Sequence, residues 1–168
     1  MSSKLAFLMD GSGEGKLLGS AFSWKEMHDG TWEFSNGEYP GRGHFIVVSY
    51  AGAAGRQHNA AQHELRVGYT MGVKDGRCWK ICAEAGELAH FDFSCQGIAQ
   101  GWFEDSDGVF VQISGVVRGI GSKWTAGSKV YVPQLYGKPE QTTKPRRSGG
   151  PLGIALNETD LLLTPHIL

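Results

Sequence analysis

Cys78-x3-Cys82-x7-His90-x4-Cys95 is the group in this chain best suited by residue type to hold a metal, because thiolate and imidazole are zinc ligands. The spacing argues against it. If Arg77–Cys82 is a strand, alternation places Cys78 and Cys82 on one face, about 13 Å apart at ~3.3 Å per residue. Sulfurs that far apart cannot share one zinc or one disulfide. The three cysteines therefore read as reduced, half-buried thiols that pack as small hydrophobes.

Other chemistry-bearing groups fail on spacing as well. Gly11-Ser-Gly-Glu-Gly-Lys16 has the glycines and lysine of a phosphate cradle, but the glycine spacing is wrong and Leu17 stands where Ser or Thr is needed. It reads as a flexible turn. The six histidines are scattered, and His58 and His63 are five apart, which fits neither a helix face nor common zinc spacing. No Gly-x-Ser-x-Gly elbow supplies a local nucleophile. Asp105-Ser-Asp107-Gly108 could begin a calcium loop, yet Val116 stands where the closing glutamate belongs. Turn chemistry accounts for it better. No catalytic residue, metal site or cofactor is expected.

The one basic cluster, Lys138 to Pro151, carries Lys138, Lys144, Arg146 and Arg147 with Glu140 and no interleaved aromatics. It fits a solvated loop or a contact with an acidic protein surface better than a nucleic-acid groove. The formal net charge of −1 gives the whole chain no electrostatic attraction to nucleic acid or an anionic membrane. No run reaches the roughly 18 apolar residues of a membrane span, and the first ten residues are too short for a signal peptide. The expectation is a protein made and used without secretion.

The elements that would position any site are strands. Glycine makes up 25 of 168 residues, and short apolar or alternating runs broken by Gly, Asp, Asn and Pro are the mark of an all-β unit built on tight turns. Gly108–Ile113, Val116–Ile120, Lys129–Val132, Gly153–Leu156 and Leu161–Leu163 are such runs. Upstream, Leu65–Met71 and Arg77–Cys82 flank Asp75-Gly76, a strong hairpin signal, and Ala89–Cys95 and Gln96–Phe103 follow. His44–Tyr50 is a further strand, being β-branched and aromatic between glycines.

Residues 1–40 are chopped by glycines but rich in large rings, which must bury either on the chain's own β domain or on a neighbouring subunit. The expected organisation is an N-terminal arm over 1–64, with one strand near 44–50 and a linker at 51–64, followed by a barrel-like body over 65–168.

Leu65-Arg-Val-Gly-Tyr, Lys74-Asp-Gly-Arg-Cys-Trp-Lys-Ile, Cys95-Gln-Gly-Ile-Ala, Val109-Phe-Val-Gln-Ile-Ser-Gly-Val-Val, Trp124-Thr-Ala-Gly-Ser-Lys-Val-Tyr-Val, Tyr136-Gly-Lys-Pro and Pro151-Leu-Gly-Ile-Ala-Leu stand in this order. The series resembles the capsid decoration, or cement, proteins of tailed bacteriophages. The resemblance covers about residues 65–168 and is one of pattern, without an invariant motif. It implies a small β-barrel or β-tulip body with an extended N-terminal arm, bound as a homotrimer or other homo-oligomer to the capsid surface of a virion built in the host cytoplasm. The implied partner is the major capsid protein, and no catalysis is involved. On this reading partner contacts are expected from Leu5, Phe7, Leu8, Phe22, Trp24 and Trp32 in the arm, and secondarily from Lys144, Arg146 and Arg147. Alternatives are another virion adaptor, such as a head or tail fibre base, neck or baseplate component, and a carbohydrate-binding module using Trp24, Trp32, Trp102 and Trp124. A hydrolase whose acids meet only in the fold is a third.

Overall fold

Asp75 and Gly76 adopt φ of 52° and 74°, the left-handed pair that a two-residue hairpin turn requires. They join β6 (Thr70–Lys74) to β7 (Arg77–Lys80) in antiparallel register, with Met71 opposite Lys80 and Lys74 opposite Arg77. This hairpin, read from two residues, is the seed of a barrel. The computed structural model describes residues 12–17, 20–35, 38–53, 65–82, 93–103, 107–141 and 151–164, and among these there is no helix.

Five strands close the barrel in the order β5-β7-β6-β8-β9, where β5 is Phe45–Ala53, β8 is Cys95–Trp102 and β9 is Gly108–Gln112. All neighbours are antiparallel except β5 and β7. Val48, Met71, Val73, Cys78, Ala99, Val109 and Val111 fill the interior. Closure leaves these strands no free edge.

Eight strands form the second sheet, in the order β1-β2-β3-β4-β10-β13-β12-β11. They are β1 (Ser12–Leu17), β2 (Ser20–Glu26), β3 (Trp32–Ser35), β4 (Gly41–Gly43), β10 (Gly115–Val117), β11 (Lys129–Val130), β12 (Gly153–Ala155) and β13 (Leu161–Leu163). One face of this sheet is buried in two clusters. Phe22, Trp24 and Phe34 pack with Phe103 and Phe110, and Phe34 stacks on Phe110 at 4.8 Å between centroids. Val117, Leu161, Leu163, Ala155, Val130, Ile120 and Trp124 pack with Ile81 and Ile98. The all-β fold with a small barrel is thus as the turn pattern predicts.

Several boundaries differ from expectation. The strand near 44–50 is β5 of the barrel itself, so the barrel draws on both sides of residue 64. Leu65–Tyr69 is not strand, because Gly68 turns the chain at φ 95°, where an added Cβ would lie 2.6 Å from the Tyr39 ring. Gln96–Phe103 and the end of Ala89–Cys95 merge into β8; residues 89–92 and the linker at 54–64 lie outside the described residues. Ser12–Leu17 is not a flexible turn but β1, whose pairing with β2 overrides the weak strand preference of its two glycines.

The sheet and barrel meet at a buried glutamine pair. The register shift between Ala99 and Gly101 leaves Gln100 as an extra residue opposite β9, a bulge that re-aims a side chain. Gln100 and Gln112 are both 0% exposed. Gln112 Nε2 donates to the carbonyls of Val116 at 2.9 Å and Ser114 at 3.1 Å, with Arg42 O at 3.4 Å.

Candidate functional site

The groups singled out for chemistry are spread over the fold. Cys78 lies inside the barrel and Cys82 is buried beyond the end of β7, while Cys95 is half-buried on β8. Val73 pairs with Cys78 on one side and Cys95 on the other, so a whole strand separates those two. Burial pushes the Cys78 thiol up to about 12 and raises Cys95 too, the opposite of what an attacking thiolate needs. His90 lies outside the described residues, and among those described no three His, Cys, Asp or Glu side chains come together.

His44 Nδ1 lies 2.8 Å from Ser114 Oγ, a pairing the sequence did not suggest. The same Oγ accepts the His44 backbone N–H at 3.2 Å, and Ile113 N–H donates to His44 O at 2.9 Å. These bonds pin the corner between β4 and β5 to the turn between β9 and β10. Lys80 is 1% exposed, with Nζ over the rings of Tyr136 at 5.2 Å and Tyr69 at 5.8 Å. Thr70 N–H donates to Gly137 O at 2.9 Å, so these contacts hold the 133–139 loop against the barrel. Asp107, just before β9, extends the pairing of β9 with β5, its carbonyl accepting the Tyr50 N–H at 2.8 Å. All three arrangements bind the chain to itself.

The expected arm contacts need correction where they are described. Phe22 is 7% and Trp24 4% exposed, both taken up by the chain's own aromatic cluster, and Trp32 packs half-buried against the same cluster. Pairing of β2, β3 and β4 with β10 brings these rings onto the outside of the barrel, so the chain itself satisfies the burial they require. Leu5, Phe7, Leu8, Lys144, Arg146 and Arg147 lie outside the described residues. Of the four tryptophans considered for sugar stacking, Trp24 and Trp124 are buried, which removes half of that platform.

Among the described residues, one surface open to a partner is the outward face of the eight-stranded sheet. One cross-strand row runs over seven of its strands: Lys25, Glu33, Arg42, Val116, Leu162, Ile154 and Lys129. Directly paired residues share a face. Lys25, Glu33 and Arg42 alternate in charge, the pattern of a solvated sheet surface. Arg42 is further held by Asp29 at 3.3 Å, with both side chains more than half exposed. Hydrogen bonds from the Thr31 hydroxyl and backbone, with Arg42 beside them, keep the Asp29 carboxyl below its ordinary value.

The other half of the row is apolar. Val116 and Leu162 are partly exposed and Ile154 is 38% exposed. Leu156, two residues on from Ile154 and 45% exposed, extends the stripe just past the end of β12. Arg118, Asp160 and Lys129 border it. Two of the three large exposed hydrophobics among the described residues thus lie on this stripe, the third being Leu135.

The chain matches no family model, no curated protein and no solved structure.

Proposed function

We propose that this chain is a non-enzymatic capsid decoration protein, a cement that binds the assembled head of a tailed phage and fastens neighbouring major capsid subunits. The observation that carries this reading is the apolar half of the outward row, on β10, β12 and β13. Two of those strands, β10 and β12, come from the same Val109–Val117 and Pro151–Leu156 phrases that resemble the decoration family, and the outward side chains of all three are not used by the chain's own core.

The physical requirement on a cement is modest. Ligands that bind only the assembled lattice add their binding free energy to its stability by mass action. Symmetric repetition multiplies weak contacts, so a small apolar face on each copy suffices. The partners on this reading are the major capsid protein and further copies of the chain, as trimers or another homo-oligomer, on the virion surface after synthesis in the host cytoplasm.

The test is co-sedimentation of the purified chain with assembled shells of its cognate major capsid protein and, separately, with the unassembled subunit. Saturable binding to shells, together with a higher shell disassembly temperature, is the expected result. Binding to the free subunit alone, or to neither, contradicts it.

A further inference from the structure

We infer that the stripe of Val116, Leu162, Ile154 and Leu156 is the docking face, and that it fits an apolar protein surface rimmed by carboxylates. This rests on the capsid reading above, and it moves the contact from the N-terminal aromatics to the opposite half of the sheet.

The argument begins with which occupant the charges allow. Arg42 and Lys129 close the stripe at its two ends in a single register row. Four strand spacings separate them, about 19 Å at ~4.8 Å each. Arg118 is exposed beside Val117 and acts electrostatically on Asp160. That carboxylate is engaged internally, accepting the Gly119 N–H at 2.9 Å and contacts from Asn157 and Thr159.

A second copy is the wrong partner on symmetry grounds. Face-to-face sheets pack either nearly aligned or near-orthogonal, and in the aligned class a two-fold axis runs either along the strands or along the row. The first sets Lys129 against the partner's Arg42, and the second sets Lys129 against its own copy. The second places cation on cation at the rim, which is unfavourable across an interface, and the first brings Lys129 to a guanidinium already paired with Asp29 at 3.3 Å, so neither gives Lys129 a carboxylate of its own. A surface with an apolar centre and acidic ends has no such conflict. Its apolar centre supplies affinity, and the rim charges supply orientation and salt dependence.

The test uses the full chain and cognate capsid shells assembled without it, in a co-sedimentation titration at two salt concentrations. The altered positions are exposed, so ellipticity and urea midpoint stay near wild type. I154E and L156E each lower affinity about tenfold or more, as expected for the centre of a contact. K129E lowers affinity and flattens its salt dependence, whereas K25Q, on the charged half of the same row, binds as wild type. Unchanged binding by I154E and L156E overturns the docking face and leaves the capsid reading standing. If the wild-type chain does not bind shells at all, the capsid reading falls and this inference falls with it. Self-association of the wild type that I154E abolishes in sedimentation velocity assigns the face to a second copy and also overturns the proposal.

Discussion

Gln100 Nε2 donates to Gln112 Oε1 at 2.9 Å, and neither residue has any exposed surface. With its oxygen taken by Gln100, Gln112 turns its amide hydrogens on the backbone of Ser114 and Val116. A barrel strand thereby supplies donors to β10 of the outer sheet and to the turn that leads into it. Breaking one side of such a pair orphans buried groups, each costing roughly 1–3 kcal/mol. Q112M, which strips several partners at once, is expected to lose about 3 kcal/mol in urea unfolding, and Q100M about half of that. Equal losses would mean that Gln112 does not hold the joint.

Gly41 makes room for that pair. A Cβ there would sit 2.2 Å from Gln112 Oε1 and 3.1 Å from Gln100 Nε2. G41A therefore destabilises the fold by about 2 kcal/mol through displacement of the buried amide. In the Q112A background the added methyl meets space instead, so the cost of G41A there falls below half. A double-mutant cycle reads this coupling directly.

The N-terminal rings belong to the folding unit. Phe34 lies within 5.5 Å of Phe22 and Phe45 and 4.8 Å of Phe110, between ring centroids, so F34A removes the hub of the cluster and costs about 3–5 kcal/mol. A chain beginning at residue 41 loses Phe22, Trp24 and Phe34 together and uncovers Phe110. It is expected to unfold at much lower urea or to aggregate.

These residues also mark what was legible in the sequence. Asp75-Gly76 and the short runs to Leu163 announce hairpins because turn chemistry is local. The barrel and outer sheet differ only in which distant strands pair, and local pattern is silent on that, so β5 was placed with an arm. Phe22 and Trp24 looked available for the same reason: a ring's need for burial is visible in sequence, its partner is not. The apolar row was hidden because Val116, Leu162 and Ile154 come from three strands that look like ordinary core.

Stability at high pH follows from the Cys78 thiol. The unfolded chain releases this proton from an ordinary value of 9.0, whereas burial holds it in the folded chain to about 12. Stability is full below pH 9 and falls as pH rises through that window, by up to about 1.4 kcal/mol per pH unit. C78A makes this slope shallower without abolishing it, because burial also holds the protons of Cys95 and Tyr50 above their ordinary values. In the native state at pH 8 the thiols of Cys78 and Cys82 resist a disulfide reagent, and Cys95 reacts first.

At low pH the sign reverses for Asp160. Burial pulls its carboxyl upward, but hydrogen bonds from Asn157, the Gly119 N–H and Thr159, with Arg118 nearby, outweigh this and leave it below the ordinary 3.8. Its contribution is present above about pH 4 and is lost as pH falls through the lower folded value. D160N is therefore less stable than wild type at pH 6, and the gap closes toward pH 2.

Copy number in purified particles bears most directly on the capsid reading. Quantitative mass spectrometry of intact virions, paired with cryo-electron microscopy, is expected to find the chain in fixed proportion to the major capsid protein and spread over the whole shell, with β10, β13 and β12 facing it. A small fixed number of copies confined to one vertex or to the tail, or absence from the particle, would contradict the reading.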